Sequence, residues 1–295
     1  MSTPKIGFIG LGLMGSAMVS RLQDEGYSVT VLGNRNRKGI EAALARGATE
    51  AANAREVAEA SDIVMLCMGT SEHVEGRMRG DDGVINGLSA GSYVVDFGTS
   101  LPGSTRTLAI EVAEKGATMM DAPLGRTPAH AKDGLLNIMA SGEKAAYDHL
   151  EPVFNDLGEN VFYLGDIGSG HTIKLLNNFY AMTSANAMSE AFAMCDLAGI
   201  PRKALYDVLS AGPNGSGMMD FIKAYAVDGD PMQLAFSAQN ALKDVSYYAQ
   251  MAEDHGAPSV MAVGAKAALA RAVEDGHGED LVPMLVDSYA RWFRK

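Results

Sequence analysis

A glycine-rich turn is the first segment whose residue types and spacing could do chemistry. The apolar run Ile6 to Ile9 leads into Gly10-Leu11-Gly12-Leu13-Met14-Gly15, and a helix-forming stretch, Ser16 to Glu25, precedes Gly26 and a second apolar run. In such a turn the first glycine permits the tight bend, the second lets backbone approach a pyrophosphate, and the third lets helix pack on strand. The phosphate then meets the helix N-terminus. With strand, spacing, helix and next strand all in place, the segment is expected to bind a dinucleotide through residues 10–15. An NAD site usually adds an Asp or Glu about 20 residues on, to accept from the adenosine ribose 2′-hydroxyl. Between Gly26 and Ile40 there is no carboxylate, and the second run ends in Gly33-Asn34-Arg35-Asn36-Arg37-Lys38. Cations there suit a 2′-phosphate, and Arg also stacks on adenine, so Asn34 and Arg35 are assigned to the cofactor and NADP is favoured over NAD.

A second constellation is Lys174 with Asn177 and Asn178, whose spacing puts them on one helix face. On an otherwise apolar helix, an ammonium and two amides need partners if buried. The ammonium could protonate the alkoxide formed as hydride reaches a carbonyl, with the amides orienting Lys174 and substrate. That chemistry needs no metal. His73, His130, His149, His171, His255 and His277 show no metal-ligand spacing and are read as surface or capping residues. Cys67 and Cys195, the two cysteines, sit in apolar runs and are read as buried free thiols. The third feature is the loop from Asp121 to Ala131, directly after a strand, where α/β proteins place ligand contacts. Arg126, between Gly125 and Thr127, offers a planar fork for a carboxylate, sulfonate or phosphate.

These groups need a scaffold, and the 295 residues are enough for two domains. A composition 47% hydrophobic and 20% charged, with 33 Gly and 10 Pro, describes a folded globular protein. The net charge of -12 repels phosphate backbones and anionic membranes, which argues against a nucleic-acid or membrane-surface binder. No leader follows Met1-Ser2-Thr3-Pro4-Lys5 and no apolar stretch is long enough to span a bilayer, so a cytoplasmic protein is expected.

Short β-branched runs alternate with helical segments up to residue 164: Ile6 to Ile9, Val29 to Leu32, Ile63 to Cys67, Tyr93 to Asp96, Thr118 to Asp121, Leu136 to Ala140 and Val161 to Leu164. This pattern predicts a mainly parallel sheet. From His171 to Leu197 neither Pro nor Gly occurs, and Ile173, Leu176, Tyr180, Ala187, Ala191 and Met194 recur near helical spacing, which predicts a long buried helix ended by Gly199-Ile200-Pro201. Further helices are expected at Arg202 to Ser210, Phe221 to Ala226, Ala238 to His255 and Ser259 to Glu274, with Gly212 to Gly217 a connecting loop. Met119-Met120 and Met218-Met219 are read as core filler. The expected fold class is α/β: a Rossmann dinucleotide-binding domain over residues 1–164, then an all-helical substrate and oligomerisation domain over 165–295.

Taken together, these segments resemble the β-hydroxyacid dehydrogenase family, which includes 3-hydroxyisobutyrate dehydrogenases. The likeness runs through Gly7 to Gly15, Asp96-Phe97-Gly98-Thr99, Asp121-Ala122-Pro123 with Gly134-Leu135-Leu136, Gly168 to Asn178, and Lys243-Asp244. It implies that Lys174 is catalytic and Asn178 supports it. Thr99 and Lys243 would lie by the nicotinamide, with Met68 among the cofactor contacts. Residues 124–127 would hold the acid group of the substrate, with Asn177 beside it. The chain departs from the family in having Gly98-Thr99 where Ser-Thr is common, and Gly125-Arg126-Thr127 where a Ser-Gly-Gly loop is common. The second departure is similar to the sulfolactaldehyde reductase branch, although that branch carries an acidic residue at the second strand end. The implied reaction interconverts a short anionic aldehyde, 3-sulfolactaldehyde or a carboxylate semialdehyde, with its alcohol in a homodimer or homotetramer. Alternatives are an imine reductase-like NADPH enzyme, which generally lacks the Lys, and a cofactor-binding protein without catalysis.

Overall fold

A computed structural model describes residues 3–294, so Met1, Ser2 and Lys295 lie outside the described residues. The chain packs as two units that divide after Lys174. The strands are β1 (Ile6–Ile9), β2 (Val29–Leu32), β3 (Thr49–Ala51), β4 (Ile63–Leu66), β5 (Tyr93–Asp96), β6 (Thr118–Asp121), β7 (Leu124–Gly125), β8 (Leu136–Ala140) and β9 (Gly158–Tyr163). The first unit's helices are α1 (Leu13–Asp24), α2 (Lys38–Leu44), α3 (Ala54–Glu59), α4 (Ser71–Met78), α5 (Val84–Gly87), α6 (Pro102–Ala113), α7 (Pro128–Lys132) and α8 (Lys144–Leu157). Then follow α9 (Ser169–Ala198), which starts in the first unit, and α10 (Arg202–Ser210), α11 (Gly217–Ala226), α12 (Ala238–Asp254), α13 (Val260–Ala272) and α14 (Leu285–Trp292).

The main sheet is six-stranded with order β3-β2-β1-β4-β5-β6, and each of its pairings is parallel. β1 and β4 are buried at every residue, as expected where helices cover both faces. Side chains therefore alternate between two apolar layers: Ile6, Phe8, Ile63 and Met65 pack into one, and Ile9, Val64 and Leu66 into the other. Ligands of such sheets bind beyond the strand C-termini where the order reverses, here between β1 and β4.

The strands are mainly parallel, as expected, but the last of them leave the main sheet. β7, β8 and β9 form a separate three-stranded sheet, with β7 antiparallel to β8 and β8 parallel to β9. The chain turns at Asp121, which exchanges two backbone hydrogen bonds with Ser141 (3.1 and 2.8 Å), and Pro123 has no N–H to continue a ladder. β3 and β7 are only three and two residues long, too short for a periodic signal. β9 starts at Gly158, ahead of the apolar run, and this early start gave no sequence signal because Glu159 and Asn160 carry little strand preference.

Beyond α9 the second unit is helical, with a core that includes Met182, Phe192, Ile222, Val245, Leu269 and Val286. Gly199, at φ 65°, ends α9 in the left-handed conformation. The expected buried stripe on α9 is corrected: Ile173, Leu176, Tyr180 and Met194 are 41%, 42%, 74% and 49% exposed. Ala187 is exposed too, and Ala191 is half-buried. Leu175, Met182, Ala185, Phe192 and Ala193 are buried instead. Apolar residues occur on every side of the helix, interspersed with polar ones, so spacing alone does not say which side faces a core. Helix α14 follows Pro283, a segment the sequence reading left unassigned. Met119, Met120 and Met219 are core residues. Among the described residues no helix is long and apolar enough to cross a membrane.

Candidate active site

The turn after β1 takes the shape its glycines permit. Gly10 has a φ of 104°, and a side chain there would meet the Cys67 carbonyl oxygen at 2.3 Å. A Cβ at Gly15 would lie 2.0 Å from the Gly10 carbonyl oxygen and 3.0 Å from the Phe8 ring, so α1 can approach β1 only with glycine at that position. A Cβ at Gly12 would meet nothing within 4 Å. Gly12 is also the N-cap of α1 and provides no side-chain acceptor, while Leu13 is 84% exposed. The first N–H groups of α1 are thus left for a ligand, and the open space beside them fits a pyrophosphate. Across the order reversal stands Met68, whose sulfur lies 3.0 Å from where a Gly10 Cβ would be. Thr99 follows β5 and is half-buried.

At the end of β2 the structure revises the reading of a basic turn without a carboxylate. Asn34 Oδ1 accepts from the Arg35 N–H at 2.7 Å, and Arg35 is exposed. Arg37, however, donates to both carboxylate oxygens of Glu50 on β3, at 2.5 and 2.9 Å. Those hydrogen bonds hold Glu50 below the usual carboxylate range and raise Arg37 above its own. Cys67, at the end of β4, is a free thiol that burial, with Asp96 nearby, pushes up to about 12. It stays protonated at neutral pH and is no nucleophile.

The first turn of α9, which carries Lys174, is anchored by buried side chains. Asp121 is 0% exposed, and it accepts from Ser141 Oγ at 2.5 Å, Gly168 N–H at 2.7 Å and His171 N–H at 2.7 Å. Ser141 Oγ in turn accepts from Gly170 N–H at 2.9 Å. Donors that a helix N-terminus leaves without intrahelical partners are thereby satisfied, and the negative charge sits at the favourable end of the helix dipole. A Cβ at Gly170 would meet the Met139 carbonyl oxygen at 2.2 Å, so the helix start lies tight against β8. Asp96, the β5 residue paired with Asp121 across the sheet, is also buried and accepts from Gly98 N–H and Ser100 Oγ, each at 2.8 Å.

His171 corrects the surface reading of the histidines, because it is 0% exposed. Its Nδ1 contacts Thr105 Oγ1 at 2.8 Å, and its ring nitrogens lie 3.7 Å from a carboxylate oxygen of Asp96 and of Asp121.

The loop after β6 holds a backbone exception. Arg126 has a φ of 77°, and among the described residues it is the non-glycine with positive φ, a conformation that costs a side-chain-bearing residue about 1 kcal/mol or more. Its guanidinium is already engaged, donating to the Leu135 carbonyl at 2.7 Å and to Glu159. Thr127 Oγ1 contacts His130 Nδ1 at 2.7 Å, and Gly125 pairs with Asn137.

Lys174, Asn177 and Asn178 follow one another along α9. In the second unit Asn178 is buried and donates to Asp244 Oδ2 at 2.6 Å, while its own Oδ1 accepts from Asn177 at 3.0 Å. Lys243 Nζ lies 2.9 Å from the other oxygen of Asp244, itself 2% exposed. Asp121, Ser141, Asp244 and Glu50 were given no role by sequence reasoning. A carboxylate closing an apolar strand was the available signal for Asp121, whereas Glu50 meets Arg37 only through strand pairing.

Fold and cradle together define a dinucleotide-binding oxidoreductase. Residues 5–165 match the family described as the NAD binding domain of 6-phosphogluconate dehydrogenase, and residues 168–286 match the NAD-binding domain of NADP-dependent 3-hydroxyisobutyrate dehydrogenase. A probable 3-hydroxyisobutyrate dehydrogenase-like 3, mitochondrial, of Arabidopsis thaliana is 34% identical over 251 residues, 85% of this chain and 78% of that protein. The 3-sulfolactaldehyde reductase of Escherichia coli K12 is 29% identical over 92% of this chain and 91% of its own. A 3-hydroxyisobutyrate dehydrogenase structure from Salmonella typhimurium is 27% identical and superposes with a TM-score of 0.83, covering 96% of this chain and 99% of that one. The chain belongs to the β-hydroxyacid dehydrogenase family and is an NAD(P)-dependent dehydrogenase or reductase acting on CH–OH groups.

Gly12→Ala separates binding from folding. The new methyl group has space in the protein but would stand where a pyrophosphate is expected to approach. Thermal denaturation should show a stability change under about 1 kcal/mol, while NAD(P)H affinity by calorimetry should fall about tenfold or more, about 1.4 kcal/mol.

Proposed function

We propose that this enzyme reduces a short aldehyde bearing an acid group, with 3-sulfolactaldehyde as the leading substrate and NADPH favoured over NADH. The observation that carries the reading is Lys174, one turn into a helix whose start is fixed by Asp121 and Ser141, on the same helix as Asn177 and Asn178. A nicotinamide cofactor, held by residues 10–15, would supply hydride. Lys174 Nζ gives a proton to the carbonyl oxygen as negative charge develops there. Asn178, held by Asp244, presents an amide of fixed orientation, and Asn177 bonded to it contacts the substrate.

The acid group is assigned to Gly125, Arg126 and Thr127. Holding that group away from the reacting carbon orients the carbonyl. Arg126 reaches the anion by exchanging Glu159, a partner 51% exposed, and surface pairs of this kind are worth only about 0–1 kcal/mol. A sulfonate offers three acceptor oxygens to the guanidinium and loop. The ion pair with Glu159 also supports a second reading, a carboxylate semialdehyde, because the guanidinium already accommodates a carboxylate. Arg35 supports the NADP preference as an exposed cation at the end of β2.

We assign residues 1–164 to nucleotide binding and 165–295 to substrate binding and assembly. The apolar side chains exposed along α9 support a homodimer or homotetramer, and free cysteines suit a cytoplasmic protein.

Initial rates of NADPH oxidation with 3-sulfolactaldehyde and with succinic semialdehyde, run in parallel, test the substrate. The sulfonate should be preferred by tenfold or more in kcat/KM, about 1.4 kcal/mol at the transition state. A carboxylate preference would select the second reading, and turnover of neither would remove the anionic-aldehyde proposal. Lys174→Ala should lower kcat by about 100-fold to 10,000-fold with the NADPH dissociation constant unchanged. Near-normal turnover would dismiss Lys174 as the proton donor.

A further inference from the structure

The acid that an NAD site carries at the end of its second strand is absent from β2, yet a carboxylate stands in that place. Glu50 reaches it from β3, where it pairs with Val31 of β2. A Cβ on Gly33 would lie 2.0 Å from Glu50 Oε1 and 2.9 Å from Arg37 Nη1. The space beside the β2 terminus is thus taken by the Glu50–Arg37 pair, and glycine at 33 makes room for it. Gly33, Asn34, Arg37 and Glu50 line a shallow, open depression at this strand end.

This arrangement changes the charge offered to a nucleotide. Both terminal nitrogens of Arg37 already donate to Glu50, which leaves the guanidinium fewer donors for a phosphate. The carboxylate also faces the same depression, where it repels a 2′-phosphate and can accept from a 2′-hydroxyl. Arg35 and Lys38 are the neighbouring cations, both exposed, and among the described residues Arg37 is the one of the three held by a carboxylate.

We propose that Glu50 is a specificity-determining residue for the nucleotide: supplied by β3 in place of the missing β2 acid, it occupies Arg37, lets NADH bind and narrows the preference for NADPH. This rests on the reading of residues 10–15 as the dinucleotide cradle.

The test is a calorimetric titration of the wild-type protein, Glu50→Gln and Glu50→Gln/Arg37→Ala with NADH and with NADPH, without substrate. Glu50 is exposed, so Gln preserves its shape without a folding penalty, which thermal denaturation checks. The ratio of the NADH to the NADPH dissociation constant should rise at least fivefold in Glu50→Gln through tighter NADPH binding. Removing Arg37 as well should abolish that gain. A ratio that rises less than fivefold or falls, with both nucleotides still bound, overturns the role of Glu50 and leaves the cradle standing. If neither nucleotide binds the wild-type protein, the cradle reading fails and the inference with it.

Discussion

The carboxylate of Asp121 joins three parts of the first unit at one buried point. It ends β6, accepts from Ser141 beyond β8, and accepts from two backbone N–H groups at the start of α9. Hydrogen bonds to a charged group are worth about 1.5–3 kcal/mol each, and stranding a buried charge costs about 3–5 kcal/mol. The helix start therefore cannot slide or rotate without leaving this carboxylate unsatisfied. Gly170 reinforces the constraint sterically, since the backbone there has no room for a side chain. Lys174 lies within a turn of His171, and its place follows from the anchor.

Electrostatics divide the remaining work. The chain carries a net charge of -12, and many of its arginines are spent on local acids: Arg37 on Glu50, Arg46 on Asp24, Arg79 on Glu111, Arg202 on Asp196. Anions must be drawn by groups the fold leaves available, namely the N–H groups opening α1 and cations whose partners are exchangeable. The function proposed above places Arg126 in the second kind; its left-handed backbone is a local strain that the surrounding sheet contacts sustain.

Much of this was legible in the residues. The strand, glycine turn and helix at residues 6–24 follow from spacing, and Gly10 and Gly15 have the steric roles their positions predict. The location of α9 and its stop at Gly199 follow from the lack of Pro and Gly and then from their return. Its buried side was not legible, because apolar residues lie on every side of the helix and mark no preferred stripe. The short strands β3 and β7 were hidden by their length, and Glu50 by lying in another strand from the arginine it binds. His171 was misplaced because a histidine's burial depends on what the fold closes over it, here Thr105 and two carboxylates.

The most direct test of the anchoring account is kcat of Asp121→Asn, measured with the NADPH dissociation constant on protein shown by thermal denaturation to be folded. Asn has one carbonyl oxygen where three donors now converge, so α9 should lose its fixed start while the Gly10 to Gly15 cradle is untouched. The account predicts kcat reduced at least tenfold, about 1.4 kcal/mol, with NADPH affinity held within twofold. An Asp121→Asn enzyme with the wild-type kcat would contradict it.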